Sequence, residues 1–370
     1  MLWSDGAALD APPIPPDLVT PALIVDVDRV RANVARMQAL ADAAGIALRP
    51  HAKTHKSLDI GRIQRAAGSV GLTVGTMGEA EVFAGAGFDD LFFAYPVWAV
   101  GDRARRLRDL HEATSLRIGL DTRAAADALA TISRPGRRVQ VVIEVDCGAR
   151  RCGIPPAEAG SLGAYARSVG LEVVGAFTYP GHGDGSIDGR DAASRDELAA
   201  LGVARDALLA EGIEPRVLSG GSTPTSRLSA RPPVTELRPG EYVYNDLGKL
   251  RLGACEPGDI ALVVATTVVS DAVPGQVIVD VGTKALGREG SPERGYGRPA
   301  SIPSAVLSKL NEYHGYLAIP EGTPRPAVGE VLAIVPNHVC PAVNLFDEVT
   351  VLEGGRVTGR WPVDARGHLS

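Results

Sequence analysis

The segment Arg49-Pro-His-Ala-Lys-Thr-His-Lys56 gathers an arginine, two histidines and two lysines where the apolar run Gly45-Ile-Ala-Leu48 turns polar. A lysine amine attacks a carbonyl well only when its pKa is depressed, and neighbouring cations or a poorly solvated strand end provide that depression. Lys53 is therefore a candidate Schiff-base lysine with His51 as a base beside it. A solvated basic loop or anion site is the plain alternative. Ser219-Gly-Gly-Ser-Thr-Pro-Thr225 follows an apolar run and offers N–H groups and hydroxyls to a phosphate, or forms a mere glycine turn before a helix. Glu144-Val-Asp-Cys-Gly-Ala-Arg-Arg-Cys-Gly-Ile154 carries Arg150 and Arg151 past another strand end, as surface residues or as a cationic hold. Phe177-Thr-Tyr-Pro-Gly-His-Gly183 sets Tyr179 and His182 where a planar cofactor is supported, or on an ordinary rim. In His338-Val-Cys340, read as extended, imidazole and thiolate face the same side and share one cation. Two protein ligands leave positions for water or substrate, as a catalytic metal requires.

These residues need a scaffold that brings strand ends together. Apolar runs recur near 48–53, 71–76, 91–96, 116–121, 139–146, 173–179, 217–221 and 236–242, separated mostly by helix-like stretches with caps and terminal glycines. Eight strands alternating with helices predict an α/β fold, a (β/α)8 TIM-like barrel, with an open doubly wound sheet as the alternative. The barrel is favoured because His51, Lys53, Arg151, Tyr179, His182 and Ser222 all fall at or just after strand C-terminal ends, where barrels collect their chemistry. Ahead of it, Ala22-Leu-Ile-Val-Asp-Val27 reads as a buried strand and Asp28 as the cap of a helix running to Ala44. After Gly253 the texture changes to β-branched runs such as Ile260–Val269, which predicts a barrel over 20–253 and a mainly β domain over 254–370, with the N-terminal segment 1–27 packing on the latter.

Composition bounds the partners. With 370 residues, 45% of them hydrophobic, a net charge of −6 and scattered cations, the chain lacks the basic face that nucleic acid demands. No apolar run reaches the roughly 18 residues of a membrane span, and residues 1–16 hold two aspartates and four prolines in place of a basic start and an apolar core. A cytoplasmic location is expected. Four cysteines so widely spread do not read as a disulfide framework and leave each free to bind metal.

Taken together, Arg49-Pro-His-Ala-Lys-Thr-His-Lys56, Arg151-Cys-Gly153, Tyr179-Pro-Gly-His182, Ser219-Gly-Gly-Ser-Thr-Pro-Thr225, Leu237-Arg-Pro-Gly240 and Pro336-Asn-His-Val-Cys-Pro341 resemble the D-threonine aldolase / D-serine dehydratase family of pyridoxal-phosphate enzymes. The resemblance runs from about residue 18 to the C-terminus. It implies an alanine-racemase-like architecture, usually a homodimer, and a small D-amino acid as substrate. It assigns Lys53 as the lysine that holds pyridoxal 5'-phosphate, with Lys56 the weaker choice. Arg151 matches the arginine near the phenolic oxygen and His182 the ring-flanking histidine. Tyr179 supports the ring, and Gly220, Gly221, Ser222 and Thr223 form the phosphate loop, helped by Tyr242 or Tyr244. Arg238 matches the position facing the pyridine nitrogen, with Glu236 the competing group. His338 and Cys340 would hold a divalent metal, zinc by thiolate preference, with manganese or magnesium as alternatives. The expected reaction is retro-aldol cleavage of a D-threonine-type substrate, and the alternative is D-serine or D-3-hydroxyaspartate dehydration. A racemase drawing a tyrosine from Tyr296, Tyr313 or Tyr316, and a non-catalytic carrier, are the remaining classes.

Overall fold

A computed structural model describes residue 7 and residues 9–370, so part of the segment 1–27 lies outside the described residues. The chain divides into two compact units. One comprises Arg36–Lys53, Ile60–Gly240 and Gly367–Ser370, the other Met1–Ala35, Thr54–Asp59 and Glu241–Arg366.

The strand β1 (Ala22–Asp26) belongs to the second unit, and the first unit is built on β2 (Ala47–Leu48), β3 (Leu72–Val74), β4 (Asp90–Pro96), β5 (Ser115–Leu120), β6 (Gln140–Glu144), β7 (Glu172–Phe177), β8 (Val217–Gly220) and β9 (Glu236–Leu237). All eight are parallel neighbours in the order β2-β9-β8-β7-β6-β5-β4-β3. The ring closes through a parallel bridge between His51 and Thr73, whose N–H donates to the Pro50 carbonyl at 2.8 Å. The expected barrel is therefore present. Its first and last strands are shorter than their apolar runs, because the chain turns into 3-10 helix at Ala52–Thr54 and Glu241–Val243.

The barrel interior is partly ionic. Arg49, 1% exposed, donates from Nε to Glu236 at 2.8 Å and from both terminal nitrogens to Asp90 at 2.8 and 3.0 Å. Arg117 and Ser219 supply two further bonds to Glu236. A charge taken out of water needs such full pairing to be tolerated. Burial opposes ionisation of Glu236, but the Arg49 charge and hydrogen bond hold its carboxyl below the ordinary range. Above this layer Phe92, Val142, Val174 and Phe177 pack together, with the two rings edge to face at 5.1 Å.

The second unit is the expected mainly β body, made of β1 with β10 (Leu262–Ser270), β11 (Val277–Val279), β12 (Gly297–Pro299), β13 (Val306–Leu310), β14 (Gly315–Ala318), β15 (Val331–Pro336), β16 (Glu348–Glu353) and β17 (Arg356–Pro362). The long β10 pairs antiparallel with β1, β11 and β15, as its β-branched run favours. β1 also pairs in parallel with β16. Compactness places the division after Gly240, not after Gly253. Tyr244 accepts from Ala261, and Leu247 and Leu250 lie in one core with Ile24, Ile260, Val263 and Val335. The helix after β1 is Val27–Ala43, and its cap is Asp26, which accepts the N–H groups of Asp28 and Arg29. Asp28 instead accepts from Gly354.

Candidate active site

In the barrel unit the expected residues collect at strand ends. Lys53 follows β2 in the turn Ala52–Thr54, its N–H directed at His51 Nδ1 at 3.4 Å. It is exposed, so of the two settings the sequence offered, neighbouring cations or a poorly solvated strand end, the second is not the one found. Its Nζ lies 5.7 Å from the centre of the Tyr179 ring, and the Arg151 guanidinium lies 4.7 Å from the same ring. Lys53 and Arg151, which follow different strands, thus share the Tyr179 ring. Lys56 belongs to the other unit, where its Nζ donates to Asn344 Oδ1 at 2.8 Å. That engagement separates the two lysines.

His182, in the turn Gly181–Gly183 after β7, pairs with Asp196 at 3.1 Å. Gly148, at φ +128°, lies under its imidazole, where a Cβ would come within 3.0 Å of Cε1. A side chain there would fill the space and force a backbone conformation that L residues avoid. After β8 the loop turns at Gly221, φ +74°. The expected row of outward N–H groups is shortened: Gly221 donates to Glu197 Oε1 and Ser222 to Thr225 Oγ1. Glu197 is fully buried, and burial raises its carboxyl pKa against the hydrogen bonds from Ser229 and Gly221. The Ser222 hydroxyl is also paired, with Thr225 Oγ1 at 3.1 Å.

Arg238, at the end of β9, donates to Ser219 Oγ at 2.8 Å and the Thr178 carbonyl at 2.5 Å and packs on Phe177 and Phe92. Burial pushes its guanidinium down against Glu236, Glu197 and Glu144. Glu236 is committed to Arg49, Arg117 and Ser219, so Arg238 is the stronger candidate for a ring nitrogen. Tyr242 and Tyr244 belong to the β unit. A nucleophilic amine, an aromatic surface, cations and a hydroxyl-bearing loop fit an anionic, planar aldehyde cofactor.

Within the β unit, His338, Cys340 and Glu241 bring one ligand atom each within 4.8 Å of the others. The extended reading of His338-Val-Cys340 is corrected: only His338 is extended, and Val339–Val343 is a short helix. The pair converges because the first helical turn swings Cys340 back. Asp246 anchors that turn, accepting the Val339 N–H with one oxygen and the Lys249 N–H with the other. Glu241, absent from the sequence reading, accepts from His338 Nε2 at 3.0 Å and from Lys249 Nζ at 3.1 Å. Burial works against its ionisation, yet the charges of Lys249 and His338 hold it well below the ordinary range. Burial lowers the His338 pKa, but hydrogen bonds with Cys340 and Glu241 raise it to about 11. Imidazole, sulfur and carboxylate converge here, a donor set that suits a divalent metal. Cys340 Sγ also touches Thr54 Oγ1 at 3.2 Å.

Of the tyrosines of the racemase alternative, Tyr313 accepts from Lys284, and Tyr316 accepts from Asn311 and carries Lys309 over its ring, while the bond of Tyr296 is a backbone one, its N–H donating to the Leu307 carbonyl. Glu144 and Glu241 were legible only as charged residues in apolar surroundings, a pattern that signals paired burial.

Comparison with known proteins agrees with this geometry. Residues 25–247 match the family model for the alanine racemase N-terminal domain, and residues 261–352 match one for a serine dehydratase domain. The chain is 36% identical to D-threo-3-hydroxyaspartate dehydratase of Delftia sp. (strain HT23), with 93% of this chain and 97% of that one covered. It is 33% identical to D-threonine aldolase of Arthrobacter sp., covering 98% and 97%. A solved cysteine-to-alanine variant of D-threo-3-hydroxyaspartate dehydratase, in the metal-free form, superposes with a TM-score of 0.86 at 34% identity, covering 94% of this chain and 97% of that one. The chain belongs to the D-threonine aldolase / D-serine dehydratase family of pyridoxal-phosphate lyases, with the alanine-racemase-like fold.

Proposed function

We propose that the protein is a metal-assisted lyase acting on D-β-hydroxy-α-amino acids. The observation that carries this reading is the Glu241–His338–Cys340 cluster, whose ligand atoms lie within 4.8 Å of one another. When bound, pyridoxal phosphate supplies a sink for the electron pair released at Cα, and a divalent metal supplies a Lewis acid for the β-oxygen. Lys53 would hold the cofactor through its amine. Arg151, Tyr179 and His182 support the ring, Arg238 faces its nitrogen, and Gly220, Gly221, Ser222, Thr223 and Tyr242 serve the phosphate. An arginine at the ring nitrogen keeps that nitrogen unprotonated. His338 and Cys340 are the metal ligands, with zinc favoured by the thiolate. His51, on the Lys53 turn, accepts a proton from the β-hydroxyl in retro-aldol cleavage to glycine and an aldehyde.

A second reading is supported by Cys340. A relative named as a 3-hydroxyaspartate dehydratase is metal-free in its cysteine variant, and this chain keeps a cysteine in its own cluster. In elimination His51 or Lys53 takes the Cα proton and the products are a keto acid and ammonia. The reading further places the protein in the cytoplasm as a homodimer. Among the described residues no helix is long and apolar enough to cross a membrane.

The deciding experiment incubates the protein with D-threonine, D-serine and D-3-hydroxyaspartate, with zinc and after chelation. Glycine with an aldehyde identifies the aldolase, and keto acid with ammonia the dehydratase. Chelation should abolish either turnover while the absorption of the bound cofactor persists. Full activity in chelator would overturn the metal-assisted reading.

A further inference from the structure

Glu144 ends β6 and has no task in the function above. Its side chain is buried, the residue being 2% exposed. One carboxyl oxygen lies 4.0 Å from Arg151 Nη2, and the other is buried without a hydrogen-bond partner. A buried carboxyl oxygen left unbonded is costly, and such atoms in folded proteins call for a reason. The groups facing it are Arg151 and Asp146 from the loop after β6, Arg238 from the end of β9, and Asp121 from the end of β5. Cys152 completes a cluster with Asp121 and Glu144.

Two completions fit. A divalent cation could sit among Asp121, Glu144 and Cys152, but two guanidinium groups face the same carboxyl and repel it. The other completion is Arg151 itself. A shift of about 1 Å brings its Nη2 from 4.0 Å into hydrogen-bond range of Glu144. Arg151 is 56% exposed on its side chain, so such a shift meets little packing. A guanidinium carries its donors in a planar fork, so one edge on Glu144 leaves the other for an anionic ring oxygen.

We propose that Glu144 is a positioning residue for Arg151: its carboxylate holds one edge of the guanidinium and thereby sets the place and net charge of the cation that the cofactor ring meets. This rests on the pyridoxal-phosphate reading above. Burial, against the pull of Arg151 and Arg238, raises the Glu144 pKa to about 7, so the pairing changes within the ordinary working range of pH.

The test uses reconstituted holoenzyme and follows the absorption of the bound cofactor against pH. In E144Q the midpoint of the absorption change should move by about one pH unit. R151Q should move it as well, and the double variant should add nothing to R151Q. E144D, which keeps the charge on a shorter stem, should restore most of the wild-type midpoint. Should E144Q not fold, E144A replaces it and is judged by the same non-additivity with R151Q. A curve for E144Q that superposes on wild type, or additive effects of E144Q and R151Q, overturns the proposal. So does a zinc equivalent bound to the apoprotein that E144Q removes while the cofactor absorption stays put. A wild-type protein that takes no cofactor on Lys53 removes the function reading itself, a failure distinct from a normal holoenzyme indifferent to Glu144.

Discussion

Lys53 and Lys56 are three positions apart, and the structure separates them by what each side chain meets. Lys53 faces the Tyr179 ring, while Lys56 is hydrogen-bonded to Asn344. Borohydride reduction of the holoenzyme followed by peptide mapping should therefore place the adduct on Lys53 alone. At the metal cluster, Cys340→Ala should cost most of the metal affinity and turnover with the cofactor still bound, as calorimetric titration of zinc would record. Cys340→Asp substitutes a hard oxygen, so manganese or magnesium should then rival zinc in supporting activity. Glu144 yields a pH dependence whose sign is fixed. Its folded pKa of about 7 lies above the ordinary 4.5, so the folded apoprotein holds the extra proton between those values. Stability should fall as pH rises through that window, by on the order of 3 kcal/mol, and remain lower above it. Denaturant melts of apo E144Q should lack this part of the pH dependence across the same range.

Among the elements, the strands show what kind of signal survives in a sequence. All eight parallel strands overlap apolar runs, because a strand covered on both faces is mostly apolar. The ionic layer inside the barrel was not legible, since Arg49, Asp90, Arg117 and Glu236 are joined only by closure of the ring. Glu236→Ala leaves Arg49 buried with half its partners and should cost about 3–5 kcal/mol in chemical denaturation. The division after Gly240 was hidden because Glu241–Leu252 is nearly as apolar as a barrel segment. His338-Val-Cys340 was read as extended, and a proline after the cysteine gives no notice that a helix begins at Val339. The two ligands were found nonetheless, because their chemistry narrowed the choice where local pattern did not. Glu241 was missed for the opposite reason: a carboxylate is common, and only its place between His338 and Lys249 makes it distinctive.

For the molecule as a whole, the proposed lyase reading gives Lys53 the substrate amine and His338 with Cys340 the β-oxygen, which would fix two of the groups around the reacting carbon. That restricts the handedness of the third. D-threonine or another D-β-hydroxy amino acid should turn over where the L isomer does not, as chiral product analysis would show, and comparable rates for both enantiomers would favour the racemase class. The division into units carries a different consequence, for how the chain is made. It passes between them five times, after residues 35, 53, 59, 240 and 366. During synthesis β1 emerges first, yet its partners β10 and β16 lie more than 230 residues further on. At roughly 5–20 residues per second the ribosome needs on the order of ten seconds or more to supply them. Through that interval the run Leu23-Ile-Val25 has neither neighbour, an unpaired apolar edge of the kind that draws chaperones or aggregates. A circular permutant opened after Gly240 would place the β strands first and β1 soon after them, and its yield in the absence of chaperones should exceed that of the natural order.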